Sequence, residues 1–177
     1  MSHEQIWAPW RLPYIKRKEE SLRDVDPRAE WLDGADRDCF MCRAVAERRD
    51  AENLVVLRGP RTITILNRYP YNNGHLLVAP RRHLDRLDQL DREEHQELSE
   101  TIARLVATLE QLLAAQGFNV GLNLGAVAGA GLPGHVHWHI VPRWLGDTNF
   151  MPVLANVDMI PQSLEALGEE LRETLGS

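Results

Sequence analysis

The chain has 177 residues, 44% of them apolar and 26% charged, with a formal net charge of −6. That length suits one domain with a substantial core, and the balance is that of an ordinary water-soluble globule. Its acidity argues against general binding to nucleic-acid backbones, which calls for a basic face, and no run of about 18 apolar residues marks a membrane span. The opening Met-Ser-His-Glu-Gln lacks the basic and apolar regions of a signal peptide, so a cytoplasmic location is expected.

In chain order, residues 1–37 read as an N-terminal arm whose distinctive cluster is Trp7-Ala8-Pro9-Trp10-Arg11. Two tryptophans so close imply an arm docked on the domain or on a partner subunit, with simple core packing as the alternative. Residues 19–37 are densely charged and predict a loop or a weak helix. Cys39-Phe40-Met41-Cys42 comes next. Residues 54–58, 61–66 and 75–79 read as strands, punctuated by Gly59-Pro60 and by an Asn72-Asn73-Gly74 turn. Such short turns favour antiparallel pairing. Asp91-Arg92-Glu93-Glu94 is a capping-box-like start to a helix that runs to about Gln116, where Gly117 would end it. Its stripe of Leu98, Ile102, Leu105, Leu109 and Leu112 has the spacing of a packed face, and His95 within it is expected to be solvated. Residues 118–124 and 135–141 supply two further strands. Leu164, Leu167, Leu171 and Leu175 mark a short amphipathic C-terminal helix. The pattern predicts an α+β fold, an antiparallel sheet of about five strands with one long and shorter helices on one face. Residues 38–153 form its main domain and residues 154–177 a C-terminal extension.

The chemistry concentrates in His135-Val136-His137-Trp138-His139, where three histidines occupy every second position. Strand side chains alternate faces, so in an extended run these imidazoles share one face and Val136, Trp138 and Ile140 pack on the other. Imidazole offers metal ligation and nucleophilic or acid–base chemistry near neutral pH. The preceding glycine-rich segment, residues 125–134, can bring backbone N–H groups against phosphates without side chains in the way. Turn formation is the alternative use of such glycines.

The alternation His-apolar-His-apolar-His-apolar-apolar resembles the signature of the histidine triad family of nucleotide hydrolases and transferases. Asn67-Arg68-Tyr69-Pro70-Tyr71-Asn72-Asn73-Gly74-His75 resembles that family's ribose-binding strand end, turn and Gly-His strand. The tail through Trp144 and Gly146-Asp147-Thr148-Asn149-Phe150 looks like the longer microbial branch, which includes diadenosine tetraphosphate phosphorylases. The likeness covers roughly residues 38–153. It implies a histidine triad fold, usually dimeric, and a covalent nucleotidyl-histidine formed on His137, with His139 donating to a non-bridging phosphate oxygen. Nucleotide contacts are then expected from Asn67 to the ribose, from Asn123, Gly129 and Gly131 at the phosphates, and from His75 as a supporting residue. Gly131 departs from the Ser or Gln that many members carry there, which leaves the leaving-group contact to backbone or water.

Cys39 and Cys42 read, on spacing alone, as zinc ligands or a redox pair before a structural disulfide. A thioredoxin-like role lacks a preceding strand and an intervening Gly-Pro. The family resemblance implies a structural zinc held by Cys39, Cys42, His83 and His135, a closed set with no position left for substrate, and no organic cofactor. A rival arrangement would place all three triad histidines on one catalytic metal, but no strong acidic partner stands beside them. A non-catalytic nucleotide-binding module is a further alternative. The expected partners are adenine nucleotides or dinucleoside polyphosphates and a second copy of the chain in a homodimer or higher homo-oligomer, with neither nucleic acid nor membrane. Phosphate as the acceptor would give a diadenosine tetraphosphate phosphorylase; water would give a hydrolase of dinucleoside polyphosphates or nucleoside phosphoramidates.

Overall fold

The computed structural model describes residues 25–147 and 160–176. The tryptophan cluster at Trp7 and Trp10 and the residues from 148 to 159 lie outside them. Alternating apolar runs build a five-stranded antiparallel sheet in the order β1-β2-β3-β5-β4. Its strands are β1 (Val55–Arg58), β2 (Thr62–Leu66), β3 (Leu76–Pro80), β4 (Gly117–Leu122) and β5 (Trp138–Arg143). Helix α1 spans Phe40–Ala46, α2 Arg92–Leu113 and α3 Leu164–Leu175.

The two faces of this sheet separate packing from chemistry. Leu66 pairs with Leu76 and Leu76 with Ile140, a row that faces the helices. On that side a Cβ on Gly74 would meet Leu109, Leu113 and Pro142, and one on Gly168 would meet Leu66. Both α2 and α3 therefore cover this face, and the Arg104 guanidinium of α2 donates to the Leu175 carbonyl at 2.7 Å. The opposite row runs Ile65, Leu77, His139 and Gly121, so alternation puts His139 on the face away from these helices. Leu167, Leu171 and Leu175 join the same buried core as the strands, making the C-terminal helix part of the domain.

Local signals explain most element ends. Asp91 and Glu94 form a reciprocal capping box, Glu94 N–H to Asp91 Oδ1 at 2.7 Å and Asp91 N–H to Glu94 Oε2 at 3.0 Å. The helix stops before Gly117, however, because Ala114 adopts a left-handed conformation at φ 50° and Gly117 opens β4. An L side chain in that region costs about 1–2 kcal/mol. Ala114→Gly is thus expected to raise the unfolding free energy by about 1 kcal/mol, measured by urea denaturation; an unchanged or lowered midpoint would contradict the cap assignment.

Residues 25–37 are loop and turn rather than helix. They are tied down by charge: Asp26 N–H donates to buried Glu47 at 3.1 Å, Glu47 also accepts from Arg43 and Asn53 at 3.0 Å each, and Arg49 donates to Asp26 at 3.3 Å. The short helix α1 escaped sequence analysis because seven residues barely complete two turns, too few to display a period. Arg58 of β1 anchors it, donating to the carbonyls of Ala44 and Glu47 at 2.7 and 2.8 Å.

Strand β5 begins at Trp138, three residues later than expected. Proline brings no N–H to a ladder, so regular pairing with β3 ends at Val78 opposite Trp138, before Pro80. The Pro80 carbonyl instead accepts from the His135 ring at 2.9 Å, and Val136 N–H turns to the Leu84 carbonyl at 2.6 Å. His135 and His137 consequently stand on an irregular approach to the strand, and only His139 lies within it.

Candidate active site and metal centre

That approach divides the three histidines between two tasks. His135 is fully buried and turns its Nδ1 toward the thiols, 3.4 Å from Cys39 Sγ and 3.6 Å from Cys42 Sγ. His83 Nδ1 lies 3.2 Å from Cys42 Sγ. The ligand atoms of Cys39, Cys42, His83 and His135 all fall within 4.8 Å of one another, so these four could hold a metal ion. Two thiols and two imidazoles match the donor preference of tetrahedral zinc. Second contacts orient the ligands: the Pro80 carbonyl holds the His135 Nε2 proton and so frees Nδ1 for a metal. The hydrogen bond between the cysteines and then burial hold the Cys39 thiol up. The same bond, aided by the His135 ring, outweighs burial and draws the Cys42 thiol down. Helix α1 presents this pair from its first turn, with Cys39 as N-cap.

His137, only 5% exposed, is held differently. Its Nδ1 donates to the His135 carbonyl at 2.8 Å, which leaves Nε2 as an unprotonated lone pair. Burial first, and the neighbouring His135 ring as a lesser cause, push its pKa down against that hydrogen bond, so the imidazole is neutral near pH 7. The His139 ring lies edge-on to it with centroids 5.0 Å apart. Beyond His139, fully buried His75 brings Nε2 to 2.9 Å from His139 Nδ1. A single catalytic metal on all three triad histidines does not fit this arrangement, because His135 Nδ1 faces the cysteines and His139 Nδ1 is taken by His75.

Burial, with the His139 and His137 rings as further causes, lowers His75 to about 3; burial and then His137 lower His139 to about 4. Unfolded histidine titrates near 6.5. With folded values below that, the stabilisation is complete above pH about 6.5 and is lost as pH falls toward 4 and 3. The unfolding free energy is expected to drop through this window, with His75 alone contributing up to about 1.4 kcal/mol per pH unit. Urea titrations of wild type and His75→Gln between pH 7 and 4 check this: a shallower slope is expected in the variant, and equal slopes would contradict it.

Asn67 follows β2 and touches the same cluster. Its Oδ1 accepts from Tyr69 N–H at 3.0 Å and its Nδ2 lies 3.2 Å from His75 Nδ1. Asn123 sits just past β4, beyond the Gly121–His139 pair and half-buried. The glycine-rich segment contains a 3-10 turn, Ala126–Ala128, flanked by Gly125 and Gly129 at φ 79° and 88°, conformations that favour glycine. Gly129 N–H is spent within that turn on the Ala126 carbonyl at 3.0 Å, and exposed Gly131 follows. Tyr71 joins the cluster without a signal in the sequence, its ring stacked on His75 with centroids 4.9 Å apart. Nothing in the residue pattern signals that contact, which depends on the path of the turn.

The alternating histidine run that leads into β5 has the pattern of a histidine triad protein, and the family model described as the HIT domain matches residues 48–144. The chain belongs to the HIT family. It is 35% identical over 164 residues to the AP-4-A phosphorylase of Mycobacterium tuberculosis, covering 91% of this chain and 78% of that one. It is 33% identical over 93 residues to the asymmetrical bis(5'-nucleosyl)-tetraphosphatase of Schizosaccharomyces pombe, covering 52% and 50%. Among solved structures, a zinc-bound histidine triad family protein from Mycobacterium smegmatis superposes with a TM-score of 0.57 at 26% identity over 70% of this chain and 84% of that one. Among the described residues, no helix is long and apolar enough to cross a membrane.

Proposed function

We propose that the protein is a nucleotidyl transferase that cleaves dinucleoside polyphosphates through a nucleotidyl-His137 intermediate, with diadenosine tetraphosphate and inorganic phosphate as its substrates. The observation that carries this is His137 itself, a buried neutral imidazole whose Nδ1 proton is fixed on the His135 carbonyl and whose Nε2 lone pair is left for attack. Nε2 attacks the α-phosphorus and the bond to the bridging oxygen breaks, releasing ATP. A phosphate oxygen then attacks the same phosphorus, the P–N bond breaks, and ADP leaves. Dividing the displacement into two steps is the advantage of a covalent nucleophile.

His139 donates to a non-bridging oxygen, where charge is greatest in the transition state. Asn67 retains a second lone pair and a second N–H for the ribose diol. Asn123 and the turn at Gly129 and Gly131 line the phosphates, and His75 supports them from beneath. Zinc on Cys39, Cys42, His83 and His135 supplies rigidity, holding the segment that offers the His135 carbonyl to His137. The cytoplasm is the proposed compartment. A homodimer is the proposed assembly, supported by the half-exposed outer strand β4, which among the described residues pairs only with β5.

The likeness to the yeast tetraphosphatase supports a second outcome, in which water resolves the intermediate and AMP plus ATP appear. Product analysis with diadenosine tetraphosphate, with and without phosphate, separates the two. Phosphate-dependent ADP plus ATP is expected; AMP plus ATP regardless of phosphate would make the protein a hydrolase, and tight nucleotide binding with no turnover would make it a binding module.

A further inference from the structure

The catalytic face contains a chain of hydrogen bonds that starts at a backbone amide and ends at His139. Tyr71 N–H donates to His75 Nδ1 at 3.1 Å. The Asn67 amide is oriented by Tyr69 N–H on its Oδ1 at 3.0 Å, which lays its NH2 group against the His75 ring, 3.2 Å from Nδ1 and 3.5 Å from Nε2. A backbone amide can only donate, so Nδ1 accepts from Tyr71 and carries a lone pair. A neutral imidazole holds one proton, which must then sit on His75 Nε2. That nitrogen is 2.9 Å from His139 Nδ1, where it can only donate. His139 Nδ1 accepts, and the proton of His139 is confined to its Nε2.

We propose that His75 is a positioning residue that fixes the tautomer and ring orientation of His139, so that an uncharged imidazole always presents an N–H to the substrate phosphate. The proposal rests on the phosphate-facing role given to His139 above. It accounts for two features that role leaves unexplained. One is a fully buried histidine beneath the site whose nitrogens are both engaged within the protein. The other is the ring of Tyr71, half-exposed in itself, stacked on His75 at 4.9 Å and lying 6.2 Å from His139 at a similar tilt, where it shields the pair from water. The result is opposite in polarity to His137. There a backbone carbonyl accepts and leaves Nε2 as a nucleophile; here a backbone amide donates at the far end of the chain and leaves Nε2 as a donor. Two neighbouring imidazoles in one pocket thereby present opposite polarities at Nε2, set by a carbonyl in one case and by an amide in the other.

The test is 15N NMR of the imidazole nitrogens in the folded, zinc-loaded protein, with His139 assigned by comparison with His139→Asn. In wild type, His75 and His139 are expected to carry their protons on Nε2 and none on Nδ1. In His75→Leu, His139 loses this single tautomer and kcat falls about tenfold or more with KM little changed, as for a misdirected donor. His75→Gln, whose amide can still donate to His139 Nδ1, recovers most of that loss. Tyr71→Pro removes both the amide that sets the chain and the stacked ring, whereas Tyr71→Ala removes the ring alone; loss of a single His139 tautomer is expected in the first and not in the second. A proton on His139 Nδ1 in wild type would overturn the proposal without any variant. So would an unchanged His139 spectrum in both His75→Leu and Tyr71→Pro. The tautomer is read without turnover, so a protein inactive on diadenosine tetraphosphate but showing the expected spectrum would fail the proposed function and not this inference.

Discussion

Replacing His137 with alanine is expected to reduce turnover of diadenosine tetraphosphate by about 10^4-fold or more, the scale on which removal of a covalent nucleophile acts. The fold and the metal centre should survive. His137 is not among the four clustered ligand residues, and its ring donates to the His135 carbonyl, a contact that a water could take over. Loss of the ring leaves a small cavity in a polar pocket, so a stability cost of about 1–3 kcal/mol is expected from burial alone. Zinc content by elemental analysis, the urea midpoint and steady-state kinetics separate these effects. A variant that keeps zinc and folds but does not turn over supports the assignment. Residual activity within tenfold of wild type would remove His137 from the reaction.

Cys42→Ser should produce the opposite pattern. Cys42 Sγ approaches both His83 and His135, so its loss dismantles the cluster. Zinc content is expected to fall from one per chain to well below it. Stability should fall by about 4 kcal/mol when wild type is compared at zinc a thousandfold above its dissociation constant. Because the metal would hold the strand approach and touch no substrate, the chemical step suffers only as His135 loosens. Chelation of the wild type should therefore lower the unfolding midpoint before it lowers kcat in the protein that remains folded. A chelated protein that loses turnover with its midpoint unchanged would assign the metal a direct part in the chemistry.

The sheet and the long helix were legible because their signals are local. Apolar runs punctuated by Gly59-Pro60 and by Asn72-Asn73-Gly74 mark three strands, and Asp91 with Glu94 marks a helix start whose capping box the structure forms. The end of that helix was not legible: a glycine three residues beyond Ala114 is the stronger signal, yet Ala114 takes the left-handed turn, and Trp144 Nε1 donates to the Ala114 carbonyl at 3.0 Å. The histidine run was legible as a candidate site because alternation is periodic. Its irregular start was not, since the ladder ends through Pro80, which is 55 residues away in sequence from His135. Cys39, Cys42, His83 and His135 came together as the family resemblance implied, although spacing alone left a redox pair open. The backbone partners of His75 and His137 carry no residue signature at all. Every residue supplies a carbonyl and every residue but proline an N–H, so these contacts emerge only from the folded chain.

The most direct test of the central claim is intact-protein mass spectrometry of an acid-free quench, milliseconds after mixing with diadenosine tetraphosphate in the absence of phosphate. A mass increase of one adenylyl group, mapped to His137, discharged as ADP on adding phosphate and absent from His137→Ala, is the predicted result. Turnover with the adenylyl group carried on another residue, or persisting undiminished in His137→Ala, would contradict the account.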